Sequence, residues 1–266
     1  MDIQAIAERI KVCTVTLSAW RATRKHAAET RAVNEKHSTG HAAKVAVKQC
    51  DDDALTSIYK IDASIYVAHR AMTMPTVADG MRMLARGSEL KHSNLMREFQ
   101  DKRCAYLDDL CARYFDIMEK QRAKLNGLFD QRAWPRNLDA LRSEFVFSTK
   151  YLPTPTDGAW SDWFQESMSA ADAELREQVE RALRRVIERC TADGCEGRLH
   201  ETVFSSLSEL ASMVPDFDFA GKYAPIVQAL KPVAAINADT IRDNPVERAK
   251  IADSVRDILN VFGGIK

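Results

Sequence analysis

The chain has 266 residues, 45% hydrophobic and 29% charged, with 38 basic and 38 acidic side chains and a formal net charge of zero. That composition excludes a disordered chain and supplies enough apolar residues for a sizeable core. It also excludes nucleic-acid binding by global charge, so any such role needs a local basic patch. No apolar run reaches the roughly 18–20 residues of a membrane span. The opening "MDIQAIAERIK" lacks a basic leader followed by an apolar core. Six cysteines lie scattered rather than in a disulfide framework, so a cytoplasmic protein with reduced thiols is expected.

In chain order, Ile3, Ile6 and Ile10 suggest a short amphipathic helix. From Val12 to Ala19 the apolar Cys13, Val15, Leu17 and Ala19 alternate with Thr14, Thr16 and Ser18, the period of a half-buried strand. A strand needs a partner for its backbone. The best candidate is "FVFSTKYL", Phe145 to Leu152, which alternates in the same way and ends at "PTP". "HAAKVAVKQC" reads as helix, and Leu55, Ile58, Ile61/Asp62, Ile65 and His69 or Met72 mark the apolar face of another, with Asp53 as its cap. No Pro or Gly interrupts Ser88–Asn126, so one long helix is predicted there, with Gly127 as its C-cap. A charged helix follows over about 169–190, then one stopped by Pro215, then short helices broken at Pro225 and Pro232. The last begins at Asn244, with Pro245 in its first turn and Glu247 placed to complete a capping box.

The expected fold is therefore mainly α: an elongated helical bundle around one long helix (about 88–126), with a small two-stranded antiparallel β-ribbon (about 12–19 and 145–151). It is read as a single domain over 1–266, with a C-terminal helical subdomain over 165–266 as the alternative.

Candidate binding residues fall in two places. Arg21, Arg24, Lys25, Arg31, Lys36, Lys44 and Lys48 outnumber Glu29 and Glu35 across 21–48, a segment that could meet phosphates. The opposing reading is a solvated face balanced by Asp51, Asp52 and Asp53. Trp160, Trp163 and Phe164 in "AWSDWF" could anchor a protein partner or fold back as cover. Two metal-like patterns are weaker. His37 and His41, with His26 as a third ligand, lack the glutamate of a zinc-protease motif. Cys190, Cys195 and His200 are spaced more widely than zinc sites favour. No Walker A, G-x-G-x-x-G or G-x-S-x-G signature occurs, so no catalytic residue, metal or cofactor is assigned.

The segments "LSAW", "NEKHSTGHAAKVAVK" (Asn34 to Lys48), "RAMTMP", "RAKLNGLFDQRAWP" (Arg122 to Pro135), "FVFSTKYLPTP" and "IRDNPVERAK" resemble a family of phage and prophage proteins of unknown function. The resemblance implies a helical protein in a host cytoplasm, encoded near MoxR-type AAA+ ATPases, with no assigned catalytic motif. Two functions are therefore expected. The first is a non-enzymatic accessory protein that works with such an ATPase or another protein assembly. The alternative is a nucleic-acid-binding protein that uses 21–48.

Overall fold

The computed structural model describes residues 3–37, 42–152, 154, 161–191, 201–218 and 220–264. In chain order the elements are α1 (Ile3–Ala7), β1 (Ile10–Leu17), β2 (Thr23–Lys25), α2 (Ala27–His37), β3 (Ala46–Lys48), α3 (Asp53–Met72), β4 (Thr73–Pro75) and β5 (Met81–Ala85). They continue with α4 (Glu89–Ala112), α5 (Tyr114–Leu125), α6 (Leu138–Ser143), β6 (Phe147–Leu152), α7 (Ser161–Thr191), α8 (Glu201–Phe217), α9 (Ala224–Ala234), α10 (Ala238–Ile241) and α11 (Pro245–Gly263). The protein is mainly α. One sheet has the order β4-β5-β1-β6, and a second pairs β2 with β3. No described helix is long and apolar enough to cross a membrane. The chain forms two compact units, Met1–Cys13 with Met72–Glu89 and Tyr151–Lys266, and Thr14–Ala71 with Leu90–Lys150.

The first unit is organised by α7. Phe164, Met168, Ala171, Leu175, Val179, Leu183, Val186 and Cys190 recur every three or four residues and are all buried. That stripe covers one side of a helix about 46 Å long. Helices α8 and α11 pack against it, and α9 packs on both of them. The β4–β5 hairpin, in register Thr73↔Leu84, Met74↔Met83 and Pro75↔Arg82, is pinned to α7 by Arg82. That guanidinium donates to Thr73 Oγ1 (2.7 Å), the Thr73 carbonyl (2.8 Å) and Glu174 (3.0 Å). Pro215 lies inside α8 rather than ending it. It sits in the last turn, where the next helical bond, Asp218 N–H to the Val214 carbonyl (2.9 Å), still forms. The Asn244 side chain accepts from Glu247 N (3.1 Å) as expected, but Glu247 turns to Lys250 (2.7 Å), so only half of the capping box forms.

The second unit has a core of Trp20, Leu55, Ile58, Leu107, Leu110, Tyr114, Ile117, Trp134, Leu141 and Phe145. Arg103 of α4 is buried beside it. It donates to both carboxylate oxygens of Asp62 on α3 (2.7 and 3.3 Å) and to the Ser18 carbonyl just past β1, and it lies 5.6 Å from the Phe145 ring. Ser18 N–H also donates to the Val146 carbonyl (3.0 Å), while Val146 N–H donates to Ser18 Oγ (3.1 Å). The expected pairing of the two distant strands is thus present, as part of a four-stranded sheet.

Several expectations need correction. The helix predicted over 88–126 is divided into two at Arg113, whose backbone (φ −109°, ψ 6°) departs from helical values. No Gly or Pro causes the break. Arg113 is held by Asp109 and by Asp52 (3.0 Å), and Tyr114 turns inward to pack on Trp20 and Trp134, donating to the Pro135 carbonyl (2.6 Å). Its end is capped by Asn126, with φ +47°, one residue before the expected Gly127. The 46–48 segment is strand, not helix. Helix α3 is capped by Asp52, whose Oδ1 accepts from Ala54 N (2.9 Å), rather than by Asp53. Helix α7 starts at Ser161, well before residue 169.

Removing one partner of a buried ion pair strands the other charge, which typically costs about 3–5 kcal/mol. Asp62→Ala should therefore lower unfolding stability by that amount in urea titrations. Glu180→Ala, which removes an exposed pair with Arg184, should leave the unfolding curve in place.

Candidate functional site

The basic segment folds into a small β2–α2–β3 element of the second unit, with register Thr23↔Lys48, Arg24↔Val47 and Lys25↔Ala46. Hydrogen bonds rather than apolar packing close it. The buried Asn34 side chain donates to the Ala43 carbonyl (3.1 Å) and accepts from Ala43 N (3.0 Å), and Thr30 Oγ1 accepts from Val45 N (2.9 Å). His26 Nδ1 accepts from Glu29 N (3.4 Å) at the start of α2, so it serves the helix end. With the inner face occupied by polar staples, all seven cations, Arg21, Arg24, Lys25, Arg31, Lys36, Lys44 and Lys48, are exposed.

Two of the seven have acidic partners: Arg24 with Asp130 (3.2 Å) and Lys48 with Asp51 (2.7 Å). Two of the acids expected to balance the segment are shared with or taken by cations outside it. Asp51 also takes Lys124 (3.2 Å), and its hydrogen bonds to Lys48 and then Lys124 hold its carboxyl below the usual carboxylate range. Asp52 takes Arg113 (3.0 Å). Among the described residues, Arg21, Lys25, Arg31, Lys36 and Lys44 have no acidic partner.

Two clefts flank the element. One, about 640 Å³, is lined by Lys25, Arg31 and Lys44 with Thr30, Asn34 and Glu35. The other, about 460 Å³, is lined by Arg21, Arg24 and Arg132 with Trp20, Trp134 and Glu144. The two indoles are buried, with centroids 5.0 Å apart, so they form a floor rather than a stacking platform. Trp20 Nε1 donates to the Ala133 carbonyl (2.9 Å), whereas the buried Trp134 Nε1 has no acceptor among the described residues. Lys36 and Lys48 line neither cleft. Both clefts carry cationic side chains at their edges, the kind of group that recognises anions, although the lining of the first is mostly apolar and Asp130 pairs with both Arg24 and Arg132 at the second.

The proposed aromatic partner surface is not formed by the residues that can be placed. Phe164 is buried in the α7 stripe and Trp163 packs against the same core; Trp160 lies outside the described residues. The metal-like patterns are also only partly visible, because His41, Cys195 and His200 lie outside them as well. Cys190 is buried at the end of α7, and Cys104 is exposed. Burial pushes the thiols of Cys13 and Cys50 up to about 12, so both are protonated at neutral pH.

Three features had no signal in the sequence. Arg132 and Trp134 approach Arg21 and Arg24 from more than a hundred residues away. The third is a buried histidine pair in the second unit, His69 Nδ1 to His92 Nε2 at 2.9 Å, which joins α3 to α4. One ring must donate and the other accept, so the contact needs a neutral imidazole. Desolvation lowers the His92 pKa from 6.5 to about 4 and keeps it in that form.

Comparison with known proteins gives no matching family model, curated protein or solved structure. The phage-family resemblance therefore stands on its quoted segments alone.

The histidine pair makes stability depend on pH. Below pH 6.5 the unfolded chain gains a proton at His92 that the folded chain refuses until about pH 4. Stability should be full above pH 6.5 and fall as pH drops through that window, by about 3 kcal/mol in total. The difference between wild type and His92→Gln in urea unfolding across the window measures this, and it should shrink steadily toward acid.

Proposed function

We propose that this protein binds nucleic acid through the β2–α2–β3 element, contacting phosphates without reading base sequence. The observation that carries the reading is the set of five exposed cations, four on this element and Arg21 just before it, none with an acidic partner among the described residues. In a chain of zero net charge that concentration creates a local field the composition does not show. Buried indoles leave phosphate contact, rather than base stacking, as the source of affinity. An accessory role beside a MoxR-type AAA+ ATPase rests on the resemblance alone. Nothing at the site adds to it, because Trp163 and Phe164 are taken up by the core.

Fluorescence anisotropy with a labelled single-stranded oligonucleotide over a salt series tests the proposal. Binding at low salt should weaken with a log–log slope of roughly −0.7 per phosphate contacted. The triple variant Arg21→Glu, Lys25→Glu, Lys44→Glu should lose binding while its thermal unfolding stays that of the wild type. No binding at low salt, or full binding by the folded triple variant, would overturn it.

A further inference from the structure

Asn126 is the one asparagine in the chain followed by glycine, and the fold holds it in an unusual conformation, φ +47° and ψ −121°. Around the Cα–C bond of an L-residue, Cβ is offset by about 120° from the backbone nitrogen. A ψ of −121° therefore eclipses the Gly127 nitrogen with the Asn126 Cβ. In an α-helix, with ψ near −42°, the same two atoms would be about 80° apart. The eclipsed arrangement is that of a five-membered ring made from Gly127 N, the Asn126 carbonyl carbon, Cα, Cβ and Cγ.

The turn is fixed on both sides. Asn126 N–H donates to the Arg122 carbonyl, and its own carbonyl accepts from Phe129 N (3.1 Å). The Gln49 side chain then ties down the Leu128 carbonyl (3.0 Å) and Asp130 N (2.8 Å). Asn126 and Gly127 are both exposed, and the space at the Gly127 Cα is open. Water can therefore reach the reacting atoms, and the Asn126 side chain can rotate toward the Gly127 nitrogen.

We propose that Asn126 is a self-modification site, held by the fold in the ring-closing geometry, where it converts through a succinimide to aspartate and isoaspartate. The Gly127 nitrogen attacks Cγ. The new N–Cγ bond forms as the Cγ–Nδ2 bond breaks, and ammonia leaves carrying the proton lost from Gly127 N. Water then adds across one of the two imide C–N bonds. Opening at Cγ gives aspartate, and opening at the backbone carbonyl gives isoaspartate with an extra carbon in the main chain. No oxidant or reductant is needed. The inference is independent of nucleic-acid binding.

Folding ordinarily slows this reaction by holding asparagine away from the ring-closing geometry; here it should speed it up. Intact protein is incubated at mildly alkaline pH, folded or unfolded in guanidinium chloride, and peptides spanning Asn126–Gly127 are followed by mass spectrometry. Loss of Asn126 should run at least about threefold faster in the folded protein, as expected for a pre-oriented attack. An isoaspartyl product should resolve from the aspartyl one. An equal or slower rate in the folded protein, or no conversion in either state, would overturn the proposal.

Discussion

A guanidinium taken out of water must keep a carboxylate beside it, and Arg103 does so in the core of the second unit, where it also donates to the Ser18 carbonyl. Its partners come from α3 (Asp62), from the residue after β1 (Ser18) and from the approach to β6 (Phe145). These segments are far apart in sequence. A hydrophobic contact would tolerate a shifted register among them, whereas a bidentate pair with a third acceptor does not. The pairing of Ser18 with Val146 places the end of β1. From there the chain passes into Trp20 and the basic element, so the position of the cations is inherited from a buried charge.

The basic element follows a different logic from the cores. Asn34 and Thr30 spend their polar groups on the backbone at Ala43 and Val45. Asp51 and Asp52 are committed to Lys124 and Arg113 as well as to local contacts. Of the acids near in sequence, Asp51 neutralises Lys48 but shares itself with Lys124, and Asp52 is taken by Arg113, so the zero net charge conceals an uneven surface.

Strand pairing was legible because β1 and β6 alternate over enough residues to show a period of two, and the α11 start because Asn244, Pro245 and Glu247 act within one turn. The β4–β5 hairpin was not: three residues carry no period, and Thr73–Pro75 reads as the end of a helix. The break at Arg113 depends on Asp52, Trp20 and Trp134, none of them local. The stripe of α7 was in the sequence but masked by its Glu–Arg pairs, and its start at Ser161 turned an apparent aromatic surface into core. Within the candidate site the cations themselves were plain. Their freedom from acidic partners was not, because it is decided by where Asp51, Asp52 and Asp130 point.

The polar closure of the β2–α2–β3 element has a thermal consequence. Heat-capacity changes on opening scale with apolar surface exposed, and this element buries little of it. Its local opening therefore carries a small heat-capacity increment and a shallow temperature dependence, unlike the cooperative melting of the two apolar cores. The cationic segment can thus loosen gradually on warming while both cores stay intact.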